Sequence, residues 1–80
     1  MYYYVYILQS IKFKETFYTG FTTKLKDRLT KHNNGEVPHT SKYKPWKIKT
    51  AIAFTDKDRA LAFEKYLKSH SGRAFAKKHF

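Results

Sequence analysis

The sequence predicts a small α+β domain: a three-stranded antiparallel sheet flanked by helices, in the order β-β-α-β-α-α. Three observations predict it. The N-terminal stretch is dense in Tyr, Val, Ile and Leu, which suit a pleated surface. Residues 46–54 alternate in polarity, the signature of a half-buried strand. Two other segments carry apolar residues at helical spacing between recognisable helix ends.

Met1–Gln9 reads as the first strand, and the polar Ser10–Glu15 as the turn after it. Thr16–Phe21 reads as the second strand, so the two form a hairpin. Gly20 within it marks a place where something approaches the backbone closely. A helix follows, with Thr22 or Thr23 as N-cap, Leu25 and Leu29 on its inner face and Asn34-Gly35 at its end. Glu36–Pro45, with Pro38 and Pro45, is a loop. In the third strand, Trp46, Ile48, Ile52 and Phe54 are expected on one face and Lys47, Lys49, Ala51 and Ala53 on the other. Thr55 with Asp58 resembles a capping box opening a helix to about Ser69. Ser71-Gly72 then starts a short helical piece ending near Phe80. The pattern does not give the strand order.

A chain of 80 residues holds one domain, 1–80, with a small core that must be concentrated. Its aromatic share of 19 % supplies that concentration, because each buried ring removes ~150–250 Å² from water. The absence of cysteine excludes disulfides, thiolate metal sites and thiol catalysis, and makes a reducing compartment the expectation. The longest uncharged stretch, Met1–Ile11, is too short for a spanning helix, which needs ~20 apolar residues. No basic segment precedes it, so it does not read as a signal peptide. A cytoplasmic protein with no membrane partner is expected. The formal charge of +11 is spread along the chain among aromatics rather than gathered on one helix. That distribution favours a nucleic-acid backbone as partner over a membrane surface. No zinc-type His spacing and no Gly-rich phosphate loop occur, so no nucleotide cofactor is expected.

Three polar residues fall on apolar helix faces. Leu25, Arg28, Leu29 and His32 share one arc of the first helix, which makes Arg28 and His32 either edge and core residues or a phosphate clamp with a proton-handling partner. Ala60, Phe63, Glu64 and Leu67 share one arc of the second helix, and a carboxylate there must be paired or protonated. A salt bridge to Arg28 or a Lys and a metal ligand are both open. Tyr6 and Tyr18 share a sheet face if the numbers of paired residues sum to an even value.

With Tyr4-Val5-Tyr6 in the first strand and Tyr18-Thr19-Gly20 in the second, followed by Arg28, His32 and Glu64, the chain resembles the GIY-YIG endonuclease family over essentially all of its length. It looks closest to small standalone members. The resemblance implies a Mg²⁺- or Mn²⁺-dependent endonuclease acting on DNA, or on RNA. It makes Glu64 the metal ligand, Tyr18 the general base, Arg28 the holder of the scissile phosphate, and His32 and Tyr6 the groups that orient Tyr18 or the attacking water. An ordinary phenol has a pKa of ~10, so the base needs positive charge nearby or coupled proton transfer. The chain departs from the pattern in two places: Phe21 stands where some relatives have Lys, and no Asn follows Asn34. Lys24 and Lys26 are the candidates to compensate for the first, and the Ser71-Gly72-Arg73 segment for the second.

Arg73 and the loop residues Thr40, Ser41 and Lys42 are further candidate nucleic-acid contacts. So short a chain leaves little surface to read bases, so cleavage directed by DNA structure is expected. Two rivals remain: a basic nucleic-acid-binding module without turnover, and an adaptor for an acidic protein.

Overall fold

The computed structural model describes all residues, Met1–Phe80. Strands β1 (Tyr3–Ser10) and β2 (Phe17–Thr22) precede helix α1 (Leu25–Asn33); strand β3 (Trp46–Phe54) precedes helices α2 (Lys57–Lys68) and α3 (His70–His79). The element order is the expected one, and element ends differ from expectation by a residue or two. The loop before β3 contains a short 3-10 turn at Ser41–Tyr43, and its Lys44–Pro45 peptide bond is cis.

The sheet is antiparallel, ordered β2-β1-β3. Its middle strand is the apolar one, and consecutive residues Val5 to Leu8 are buried because both of its faces are covered. On one side Tyr6, Leu8 and Trp46 form a cluster with Leu25 and Leu29 of α1 and with Tyr43 of the loop. On the other, Val5 and Ile7 pack with Ala60 and Leu67 of α2, ringed by Phe54, Phe63 and Phe75. One face thus carries α1 and the loop, and the other carries α2 and α3.

The expected alternation in β3 is corrected by a β-bulge. Ile48 pairs with Leu8 and Thr50 with Ile7, which leaves Lys49 as an extra residue. One added residue reverses the facing of everything after it. Trp46 and Ile48 therefore lie on the α1 side, whereas Ile52 and Phe54 lie on the α2 side with Val5 and Tyr3. The slip lets one strand feed two cores.

Two expected caps are also corrected. The N-cap of α1 is Lys24, with no side-chain bond; Thr22 Oγ1 instead accepts from Lys24 N–H at 3.0 Å, holding the strand-to-helix turn. In α2 the cap is Asp56, whose carboxylate accepts from Arg59 N–H at 3.1 Å, rather than Thr55 with Asp58. The predicted end of α1 is found: Gly35 has φ +77°, Gly35 N–H donates to the His32 carbonyl and Glu36 N–H to that of Lys31. This is a Schellman closure, which needs a residue that tolerates positive φ. Ser69 ends α2 and caps α3 through Gly72 N–H at 3.1 Å, so α3 opens at His70, before the expected Ser71. No helix is long and apolar enough to cross a membrane.

Candidate active site

Cross-strand register brings the two tyrosines together. Tyr6 pairs with Gly20 and Leu8 with Tyr18; these numbers sum to an even value, so both phenols stand on the α1 face. Their ring centroids are 6.4 Å apart. The close approach that Gly20 signalled is the Tyr6 ring itself, which occupies the space a Cβ at Gly20 would take. A glycine in an edge strand thereby lets a central-strand side chain lie flat across its neighbour.

Helix α1 places Arg28 and His32 one turn apart above this pair. His32 is fully buried. Its Nε2 lies 3.1 Å from Tyr6 Oη and its Nδ1 lies 2.8 Å from Thr40 Oγ1. Thr40 Oγ1 donates its one proton to the Val37 carbonyl at 3.2 Å, so it must accept from His32 Nδ1–H. A neutral imidazole then has only a lone pair at Nε2, which accepts from the Tyr6 hydroxyl. Tyr6 Oη in turn accepts from Arg28 Nε–H at 3.4 Å. The network assigns one direction to every proton, from Arg28 through Tyr6, His32 and Thr40 to Val37.

The acid–base properties agree with that assignment. Burial, helped by the charge of Arg28, lowers His32 to about 4 and keeps it neutral. Burial raises Tyr6 against the opposing pull of Arg28, so Tyr6 keeps its proton. Arg28 is raised further above its ordinary value, chiefly by its bond to Tyr6. Tyr18 is held differently: its ring lies 5.0 Å from that of His32, it is half-buried, and its hydroxyl meets only a weak bond from Arg28. Arg28 is also part of the wall of a solvent cleft of about 480 Å³, shared with Lys24 and Lys31.

Glu64 reaches the group from α2. Its charge is felt at Tyr6, where it adds to the upward shift. Its direct partner is Lys68, with Nζ 3.1 Å from Oε2. That carboxylate is four-fifths buried and already seats a cation. A single carboxylate is an oxygen donor of the kind that suits Mg²⁺ or Mn²⁺, hard ions that keep several waters, and no cluster of three or more His, Asp or Glu side chains stands around it.

Tyr6, Tyr18, Arg28 and His32 are therefore brought together, with Glu64 at electrostatic range and bonded to none of them. The candidate contacts are dispersed. Lys24 lines the Arg28 cleft, and Lys26 a shallower one beside it. Lys42 lies over the Tyr43 ring at 5.2 Å, Ser41 Oγ donates to the Pro38 carbonyl at 3.2 Å, and Arg73 is exposed on α3. Thr40 is corrected: it is buried, with its hydroxyl taken by His32 and Val37, so it supports the site from within and cannot touch substrate. Two supporting residues escaped the sequence reading. Trp46 Nε1–H holds the Thr40 carbonyl at 3.0 Å, and the Asn33 amide accepts from Trp46 N–H and donates to its carbonyl, tying α1 to β3.

The model of the GIY-YIG catalytic domain matches residues 2–78. The chain belongs to the GIY-YIG family. A UPF0213 protein of Streptococcus pyogenes serotype M3 is 33% identical over 72 residues, which cover 89% of this chain and 76% of that one. The UPF0213 protein YsiG of Lactococcus lactis is 36% identical over 67 residues, covering 82% and 62%. Among solved structures, the solution NMR structure of the UPF0213 protein BH0048 from Bacillus halodurans superposes with a TM-score of 0.58 at 30% identity, covering 98% of this chain and 84% of that one. This GIY-YIG chain thus shares its α+β architecture with the UPF0213 neighbour, and its family is a family of nucleases.

Proposed function

We propose that this protein is a divalent-metal-dependent endonuclease that hydrolyses DNA phosphodiester bonds, directed by DNA structure rather than by sequence. The observation that carries the reading is the unequal state of the two tyrosines. Tyr6 has its proton committed to His32 and its lone pair to Arg28, whereas the Tyr18 hydroxyl beside it is half-buried, meets Arg28 only weakly and has its proton committed to no acceptor. Tyr18 is therefore the phenol that takes the proton from an attacking water. Arg28 spends its Nε–H on Tyr6 and only a weak bond on Tyr18, which leaves its guanidinium donors to take a phosphate in the cleft. His32, neutral and fixed in one tautomer, fixes Tyr6, and Tyr6 fixes the guanidinium. Glu64 would hold Mg²⁺ or Mn²⁺, which when bound neutralises charge on the scissile phosphate.

A second reading, a nucleic-acid-binding module without turnover, is favoured by one observation, the occupation of Glu64 by Lys68. Nicking of supercoiled plasmid in Mg²⁺, Mn²⁺ or EDTA separates the two. Tyr18→Phe and Glu64→Ala should each abolish metal-dependent nicking and keep the parent circular dichroism. Variants that cut as fast as the parent would remove the assigned roles, and a parent that binds without cutting in either ion would establish the module.

A further inference from the structure

Exposed aromatic residues gather at the end of the sheet where β1 turns into β2. Phe13 in the turn is 50% exposed and Phe17 at the start of β2 is 45% exposed, and neither is packed into either core. Phe13 stands edge-on to Tyr43 at 5.6 Å, so the hairpin turn and the loop before β3 form one surface. One backbone bond and one side-chain bond weld them: Ile11 N–H donates to the Pro45 carbonyl at 2.9 Å and the Ser10 hydroxyl to that of Tyr43 at 2.7 Å. On the far face Phe17 shares a row with Gln9 and Lys47. The bulged Lys49 extends its ammonium over the Phe17 ring at 4.9 Å.

Charge surrounds these rings. Lys12, Lys14, Lys42, Lys47 and Lys49 are all exposed here, and Glu15 is the one acid in the two segments 11–17 and 42–49. Burying a second copy of this surface against the first would bring like charges together. An intact duplex satisfies the lysines but offers the rings no base faces except at its ends. A single strand supplies both phosphates and free base faces, the pairing on which stacking platforms depend.

We infer that this hairpin end is a binding platform for single-stranded nucleic acid, with Phe13 and Phe17 stacking on bases and the surrounding lysines tracking the backbone. The inference rests on the nucleic-acid reading above but not on turnover. It also gives structure-directed cleavage a physical basis. Phe17 immediately precedes Tyr18 on edge strand β2 and points to the opposite face. The Arg28 cleft is walled by Thr22 and Thr23 at the other end of β2, so a strand held there reaches the rings by running along and around that edge, and the favoured substrate carries a single-stranded segment some nucleotides from the scissile bond.

Fluorescence anisotropy in EDTA tests it, with labelled oligothymidylate and oligouridylate of about 16 nucleotides and a blunt duplex of equal length. The parent should prefer the single strands, and the two oligomers decide between DNA and RNA. Phe13→Ala/Phe17→Ala should weaken single-strand binding about tenfold or more, with the salt slope unchanged. Lys47→Gln/Lys49→Gln should instead flatten the logarithmic salt slope by about 1.4. Phe13→Trp/Phe17→Trp should retain affinity, and keeps the test valid if the alanine pair unfolds. Parent-like binding by a folded alanine pair, loss of binding by the tryptophan pair, or a parent dimer that the alanine pair dissolves in sedimentation would each overturn the platform. Cleavage is read separately: a protein that binds through the rings and never cuts defeats the nuclease reading alone, and one that cuts but binds equally well without the rings defeats the platform alone.

Discussion

The two faces of the sheet bury side chains for different ends. On the α2 side, Val5, Ile7, Ala60 and Leu67 meet a ring of aromatics with no buried polar group among them. On the α1 side the most deeply buried side chains include Tyr6, His32, Thr40 and Ser10; the first three form a directed series of hydrogen bonds, and Ser10 bonds separately to the Tyr43 carbonyl and Phe13 N–H. Apolar contact is non-directional and tolerates exchange of shape, whereas a buried polar network is stable only when every member is satisfied. The comparison teaches that stability and geometry are supplied from opposite sides of one three-stranded sheet. The central strand couples them, because Val5 and Tyr6 are neighbours that face opposite ways.

The largest effects should come from breaking one face at a time. Leu67→Ala removes a fully buried side chain from the α2 side and should cost ~2–5 kcal/mol. Thr40→Val keeps the volume on the α1 side but orphans His32 Nδ1–H, and should cost ~1–3 kcal/mol. Urea unfolding measures both. The informative contrast lies in what survives: the folded fraction of Leu67→Ala should nick DNA at the parent rate, whereas Thr40→Val should lose rate beyond its loss of stability, and Thr40→Ser should recover it. Equal specific activity in all three would show that the polar network does not set the geometry of the site.

Acid sharpens the same contrast. His32 titrates near 4 in the folded chain and near its ordinary 6.5 when unfolded. Between those values the unfolded chain binds more protons, so stability is in place above pH 6.5 and is lost as pH falls toward 4. The loss is up to ~3 kcal/mol. His32→Gln should flatten this part of the parent curve, and Leu67→Ala should displace the curve without changing its shape. An unchanged slope in His32→Gln would place the acid sensitivity elsewhere.

The legible features were those encoded locally. Helical spacing grouped Arg28 with His32 and Ala60 with Glu64, the Asn34-Gly35 end of α1 was readable from its residue types, and Gly20 signalled a close approach. What escaped depended on partners distant in the chain. The bulge at Lys49 exists only as a register against β1, so the alternation read as one face was in fact two half-faces joined by a slip. Thr40 carried no sign of its role, because a threonine in a polar loop resembles any surface contact until the loop folds back on α1. Lys68 was available in principle, since a Glu followed four residues later by Lys is a standard helical pair.

That pair leads to the smallest expected effect on stability and the finest test of the site. An i,i+4 pair on a helix is worth ~0.3–0.5 kcal/mol, so Lys68→Met should barely move the urea midpoint. Yet the ammonium lies on one of the two carboxylate oxygens open to a divalent cation. If Glu64 is the metal ligand, Lys68 competes with the ion, and its removal should increase the thermal stabilisation produced by millimolar Mn²⁺ or Mg²⁺. Glu64→Gln should abolish that stabilisation in either background. Lys68 also balances a four-fifths-buried negative charge, so without metal the methionine variant should be slightly the less stable of the two. A divalent-ion response identical in parent and Lys68→Met would mean that the ion is held elsewhere, and that the α2 side of the sheet contributes structure alone.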